Sequence, residues 1–242
     1  MIDFCYPGHC AACKTGCEAD SFLCRECFEK LAGLESAAAC DRCGAPLGHG
    51  GAPCPFCKDD GVPNYDRILR LGVFEDPLKD LIHKFKYQRQ WNVGEQLTRR
   101  LLGHDCVRDL VAQADVIVPV PLHVWRQFHR GFNQAAVIAR HISKQCGKPV
   151  AFPLARVRRT ETQTHLHSRE KRFANLQGAF KLKRPKAVEG RKVLVVDDVM
   201  TTGATLQMVA RSLRPARPAA LSALVLAVAD PRGRDFQAVG RI

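Results

Sequence analysis

The run Val193-Leu194-Val195-Val196-Asp197-Asp198-Val199-Met200-Thr201-Thr202-Gly203-Ala204-Thr205 constrains this chain more than any other stretch. Four apolar, mostly β-branched residues in succession predict a strand buried on both faces, as in a parallel sheet. Two adjacent carboxylates close that strand, a small hydroxyl-rich loop follows, and Leu206 to Leu213 spaces its apolar residues as a helix does. The start of a helix leaves backbone N–H groups unpaired and its dipole favours negative charge, so this order builds an anion cradle. The hydroxyls of Thr201, Thr202 and Thr205 add hydrogen bonds, and Gly203 lets the backbone approach an anion closely.

The carboxylates need their own explanation, because placed against a phosphate they would repel it. They make sense if the ligand carries a diol one sugar away, or a divalent cation that offsets the charge. A ribose 5-phosphate satisfies both halves. The bland alternative is a strand–helix turn with two capping aspartates. The whole run resembles the signature of type I phosphoribosyltransferases. That resemblance implies 5-phosphoribosyl-1-pyrophosphate (PRPP) as ligand and Mg2+ as cofactor. It assigns the phosphate to Thr201, Thr202, Gly203, Ala204 and Thr205, and makes Asp197 and Asp198 the catalytic pair on the ribose hydroxyls.

Ten of the twelve cysteines fall in the first 57 residues. Cys10-x2-Cys13 is followed by Cys24-x2-Cys27, and the same pattern returns 30 positions later as Cys40-x2-Cys43 and Cys54-x2-Cys57. In a reducing compartment this density means metal rather than disulfides. Each copy offers four thiolates to one tetrahedral Zn2+, giving two structural ions and no open coordination position. The offset favours sequential ribbons; an interleaved cross-brace is the alternative. Cys5 and Cys17 fall outside the pattern, and His9 and His49 are weaker substitute ligands. So small a module has little apolar core, so metal would supply most of its stability, on the order of 10 kcal/mol per site.

The chain is 242 residues with a net charge of +13, enough for one α/β domain plus an appendage. The excess is local: Arg156 to Lys192 holds twelve Lys/Arg against three Glu. Such a balance suits phosphorylated metabolites, nucleic acid or acidic partners, unless it is only a solvated basic face. The N-terminus lacks a secretory pattern and the longest apolar run, Ala219 to Ala229, is 11 residues, so a cytoplasmic chain with no membrane span is expected. Turn formers at Lys58 to Asn64 predict a boundary between a cysteine module, 1–60, and an α/β domain, 61–242.

Within the second part, Ile68 to Phe74 reads as a strand. A helix follows with Asp76 as cap and Pro77 in its first turn, then another over Val93 to Leu102. Lys79, Lys84, Lys86 and Arg89 make the first helix basic. Beside them Tyr87 and Trp91 suit base stacking, although core or rim packing is the commoner use of such aromatics. Asp115 to Pro121 is the first strand of the expected core. Arg126 and Arg130 precede Gly131-Phe132-Asn133-Gln134 and a helix from Ala135 to about Gln145, a second candidate anion site. Phe152 to Val157 is a further strand, and Leu221 to Val228 the last. Between them Arg158 to Arg169 is polar and aperiodic, with Arg159, Thr160 and Gln163 suited to a lid that neutralises pyrophosphate and excludes water. His165 and His167 read as exposed loop histidines.

The Arg-Gly-Phe-Asn-Gln run, the phosphate signature and the double cysteine module together resemble the ComF family of competence-associated proteins. Arg172, Asn175 and Phe180 fit the same resemblance. It implies an α/β fold with a phosphoribosyltransferase-like parallel sheet flanked by helices, behind a double zinc ribbon. It also implies a role in single-stranded DNA uptake beside a helicase-like partner, with Arg126 and Arg130 on the pyrophosphate.

Overall fold

A computed structural model describes residues 8–18, 21–47, 54, 57, 62–88, 90–123, 131–158 and 174–230. Its centre is a four-stranded parallel sheet in the order β1-β6-β5-β2. The strands are β1 (Arg67–Val73), β2 (Val116–Pro119), β5 (Lys192–Met200) and β6 (Ala220–Val228). Val150 adds a single parallel bridge to Ile117 beyond β2. Around the sheet lie α2 (Leu78–Tyr87), α3 (Trp91–Leu101), α4 (Asp105–Gln113), α5 (Gln134–Cys146) and α6 (Ala204–Leu213), with α1 (Arg25–Ser36) in the cysteine module.

Strand alternation sorts the core into two clusters, one per sheet face. Val116, Val118, Val193, Val195, Leu221, Ala223 and Val225 belong to the first, with Val209 and Leu213 of α6. Ile117, Leu194, Val196, Leu224 and Leu226 belong to the second, with α2, α3, α4 and α5 packed over them. Successive residues of a strand point to opposite faces, so a run buried on both sides shows no polar alternation. That is the Val193–Val196 pattern.

Four expectations change. The strand does not close at the carboxylates. It continues to Met200, because Asp197, Val199 and Met200 keep pairing with Val225, Ala227 and Val228 of β6. Asp76 makes no cap: Pro77 stands at the N-cap of α2, with no side-chain hydrogen bond to the helix start. The core does not begin at Asp115, since β1 pairs with β6 over Arg67–Val73 and so builds the sheet. Finally, β3 (Leu154–Arg156) is not a core strand; it pairs antiparallel with β4 (Phe180–Leu182) in a separate ribbon. Three-residue strands carry too little pattern to reveal their partner. The segment read as a lid, Arg158 to Arg169, lies between these two strands in the chain, and its residues 159–169 are outside the described ones.

Both copies of the cysteine repeat dock on this sheet, one against each core cluster. Cys10, Ala12, Leu23, Cys27 and Leu31 join the second cluster. Cys43, Ala45 and Cys57 join the first.

Candidate functional site

At the cysteine module the 30-residue offset is repeated in the backbone. Cys10 N–H donates to Thr15 O at 2.7 Å and Cys40 N–H to Ala45 O at 2.8 Å; Lys14 N–H reaches Cys10 O at 2.9 Å and Gly44 N–H reaches Cys40 O at 2.8 Å. The bridges His9–Gly16 and Ala39–Pro46 keep the same offset. Each turn therefore aims two sulfurs at one point. Cys10, Cys13, Cys24 and Cys27 converge with their sulfurs within 4.8 Å of one another, and so do Cys40, Cys43, Cys54 and Cys57. This is the sequential pairing.

Sulfur separations of 3.7 Å for Cys13–Cys24, 3.8 Å for Cys40–Cys57 and 3.5 Å for Cys43–Cys54 test the fit to a metal. A tetrahedral zinc with Zn–S near 2.3 Å spaces its sulfurs about 3.8 Å apart. The donor sets fit structural Zn2+, and Cys17 stays outside both.

The second site lies where β5 gives way to α6. Gly203 adopts φ 72°, in the left-handed region, at the N-cap. Thr202 is buried and its Oγ1 accepts from Ala204 N–H at 3.4 Å, so that hydroxyl is engaged by the turn itself. Thr201 and Thr205 are half-buried, and Ala204 is buried. The left-handed glycine, the buried Thr202 and the start of α6 meet at this turn, with Thr202 shaping it from within.

The two carboxylates do not act as a matched pair. By the alternation that places Val195 and Val196 on opposite faces, Asp197 belongs to the first face and Asp198 to the second. Asp198 is held at both oxygens: Val199 N–H donates to Oδ1 at 2.6 Å, and Lys86 Nζ of α2 lies 3.1 Å from Oδ2. Asp197 Oδ1 accepts from Asp198 N–H at 2.9 Å, and among the described residues no donor reaches its Oδ2. Burial, then the charge of Asp198, pushes the Asp197 carboxyl up to about 7, against the opposing pull of its backbone hydrogen bond, Lys86 and Arg156. Tyr65 lies close on the same face; burial and the charge of Asp197 raise its phenol well above the usual value. Its hydroxyl donates to Leu206 O at 3.0 Å and so ties the start of α6 to the segment before β1. Neither Lys86 nor Tyr65 carries a signal in the sequence, since each meets the site from more than a hundred positions away.

The loop after β2 is assembled differently from expectation. Asn133 caps α5 by accepting from Ala135 N–H at 3.1 Å, and it donates to Val120 O at 3.0 Å. Phe132 is buried against Trp91, centroids 4.5 Å apart and 26° between planes. Trp91 remains 49 % exposed and Tyr87 62 %, so the rim reading holds for Trp91, which packs one face and shows the other. The basic side of α2 is largely committed: Lys84 donates to Ala11 O at 2.5 Å and to Ala12 O, and Lys86 to Asp198. Arg126, Arg130, Arg159, Thr160, Gln163 and Arg172 lie outside the described residues. Among the described residues no helix is long and apolar enough to cross a membrane.

A parallel sheet flanked by helices, fronted by two four-cysteine zinc-binding centres, defines a phosphoribosyltransferase-fold protein with a double zinc ribbon. Family profiles agree: "Phosphoribosyl transferase domain" matches residues 130–237 and "Double zinc ribbon domain" residues 1–59. Competence protein F of Haemophilus influenzae is 33 % identical over 222 residues, covering 88 % of this chain and 93 % of that one. DNA utilization protein YhgH of Escherichia coli K12 is 33 % identical over 213 residues, covering 86 % and 91 %. Competence protein ComFC of Bacillus subtilis is 28 % identical over 200 residues, covering 80 % and 78 %. The chain belongs to the ComF family of competence-associated proteins.

Proposed function

We propose that this protein binds PRPP with Mg2+ at the β5–α6 turn and acts as a phosphoribosyltransferase in the handling of single-stranded DNA. The observation that carries the reading is the split acid pair over a left-handed glycine turn. Asp198 is held at both oxygens by protein groups, whereas Asp197 keeps one oxygen that no described donor reaches. A ribose hydroxyl donates well to such an oxygen, and the helix start takes the 5-phosphate. Loss of pyrophosphate at C1 leaves positive character on the sugar, which the two acids favour electrostatically. Magnesium bound with the ligand would neutralise charge on the leaving group. Burial first, and the charge of Asp198 second, raise the Asp197 carboxyl, so a hydroxyl that donates to it favours its ionised form.

The DNA part of the proposal draws on the relatives' names and on charge. Lys181, Lys183, Arg184, Lys186, Arg191 and Lys192 are all exposed. They cluster around β4 and the start of β5, and Lys192 stands five residues before Asp197 on one strand, roughly 17 Å away. This separation favours a second reading, in which DNA contacts a basic face apart from the sugar site and the protein serves as a PRPP-gated accessory to a helicase-like motor.

Calorimetry with PRPP and MgCl2 tests the binding: Asp197→Ala with Asp198→Ala abolishes it, and unchanged affinity sinks the assignment. Pyrophosphate release from PRPP, measured with and without single-stranded DNA, nucleobases or amines, separates transferase from accessory. Single-stranded DNA affinity falls steeply with salt and weakens about tenfold when lysines 181, 183 and 186 become Gln; a flat salt response removes the nucleic-acid reading.

A further inference from the structure

Lys86 brings a cation into the acid pair from a helix that the phosphoribosyl transferase profile, residues 130–237, does not cover. Its side chain is only 16 % exposed, as is that of Asp198, so the ion pair is largely shielded from solvent. Its geometry is fixed by its neighbours. Phe85, the preceding residue, is fully buried, and its ring fills the space over Gly94 of α3 so completely that an added Cβ there would lie 2.5 Å from it. On the other side Gln134 Nε2 donates to Lys86 O at 3.3 Å, linking the end of α2 to the start of α5. A partly buried ammonium held this way is oriented before any ligand arrives.

Resting on the reading of Asp197 and Asp198 as the ribose-binding pair, we infer that Lys86 is a positioning residue for PRPP. It locks Asp198 through Oδ2 and lowers the charge that two carboxylates present to an incoming polyphosphate. The balance is local. Two acids alone repel an anion; two acids with an ammonium 3.1 Å from one of them repel it far less. With Val199 N–H on Oδ1 and Lys86 on Oδ2, Asp198 has one orientation, and the entropic cost of ordering it falls before binding. Lys86 therefore acts on the ligand through Asp198.

A double-mutant cycle read by calorimetry with PRPP and MgCl2 tests this, with zinc content and thermal midpoint as controls on folding. K86Q weakens binding about tenfold, K86R restores it to within about threefold, and K86Q added to D198N changes affinity less than about twofold. K86M keeps the aliphatic stem packed and is the second neutral variant should K86Q fold poorly. Affinity unchanged in K86Q and K86M overturns the inference. So does an equal loss on adding K86Q to D198N, or an arginine variant as weak as the glutamine. Absence of PRPP binding in the wild-type chain is a separate result, which overturns the ligand assignment itself.

Discussion

The two ribbons are copies by sequence and by backbone, yet they occupy different environments. Cys13 of the first is exposed, whereas Cys43, its counterpart 30 residues later, is fully buried. The first ribbon sits on the face that carries α2, tied down by Lys84 and by Arg100, whose guanidinium grips Glu35 at 2.7 and 2.8 Å. The second shares its core with Met200, Ala204, Leu206 and Met208, the residues around the β5–α6 turn. Arg70, 8 % exposed on β1, donates to Ala37 O at 3.0 Å; burial pulls its guanidinium down to about 10 against the opposing charges of Cys43 and Asp230. Cysteine spacing dictates the turn, but docking decides how much of the molecule depends on it.

The largest effect expected from this asymmetry is in the ligands themselves. Cys43→Ser and Cys13→Ser each remove one zinc of two by elemental analysis. Cys43→Ser costs about 4 kcal/mol or more, because it opens the core under the β5–α6 turn, and PRPP affinity falls with it. Cys13→Ser costs about half as much and leaves affinity within threefold. Equal losses in denaturant titrations would make the two ribbons energetically equivalent and break the comparison.

Next in size is Gly44→Ala. Gly44 has φ 68°, and a Cβ there would lie 3.1 Å from Ile68 O, a strand backbone that cannot yield. Left-handed strain and overpacking together cost about 2–3 kcal/mol, read as a fall in thermal midpoint. A variant as stable as wild type would mean the second ribbon rides loosely on β1.

Asp197 sharpens the contrast between the two faces. Its unfolded-state value is about 3.9, and its folded value of about 7 is higher. The native state thus holds a proton that the unfolded chain has lost, so this group lowers stability progressively as pH rises from about 4 to about 7. Asp197→Asn keeps the acceptor for Asp198 N–H and removes that slope. It raises stability at pH 8 by about 1–2 kcal/mol once partial exposure is allowed for, while PRPP binding is lost. In the wild type PRPP affinity rises with pH through about 7, as the carboxylate that accepts the hydroxyl forms. A pH-independent affinity would show that Asp197 does not meet the ligand.

What was legible in the sequence is what local pattern encodes. The unbroken Val193–Val196 run announces a strand covered on both faces, and the cysteine offset announces two equal centres. Pleating even implies that adjacent acids diverge, but not what each meets, because Lys86 and Tyr65 reach them through tertiary packing alone. The antiparallel β3–β4 ribbon was invisible for a related reason: three residues fix neither register nor partner. Lys84 and Lys86 illustrate the converse error, since a basic helix face looks like a surface for polyanions until its ammonium groups are found on carbonyls and a carboxylate.

The smallest effect isolates docking from metal geometry. Lys14 stands where Gly44 stands in the other copy and adopts the same left-handed conformation, φ 66°, but it is exposed. Left-handed strain for a non-glycine residue is of the order of 1 kcal/mol, partly offset by the greater freedom glycine has in the unfolded chain. Lys14→Gly therefore stabilises by about 0.5 kcal/mol, measured as a small rise in thermal midpoint with two zinc ions retained. The sign is the informative part. A loss of stability would mean that the lysine side chain contributes contacts to the first ribbon, whereas a gain shows that the turn itself asks for glycine in both copies. In that case only the second copy, pressed against Ile68 O, has no alternative to it.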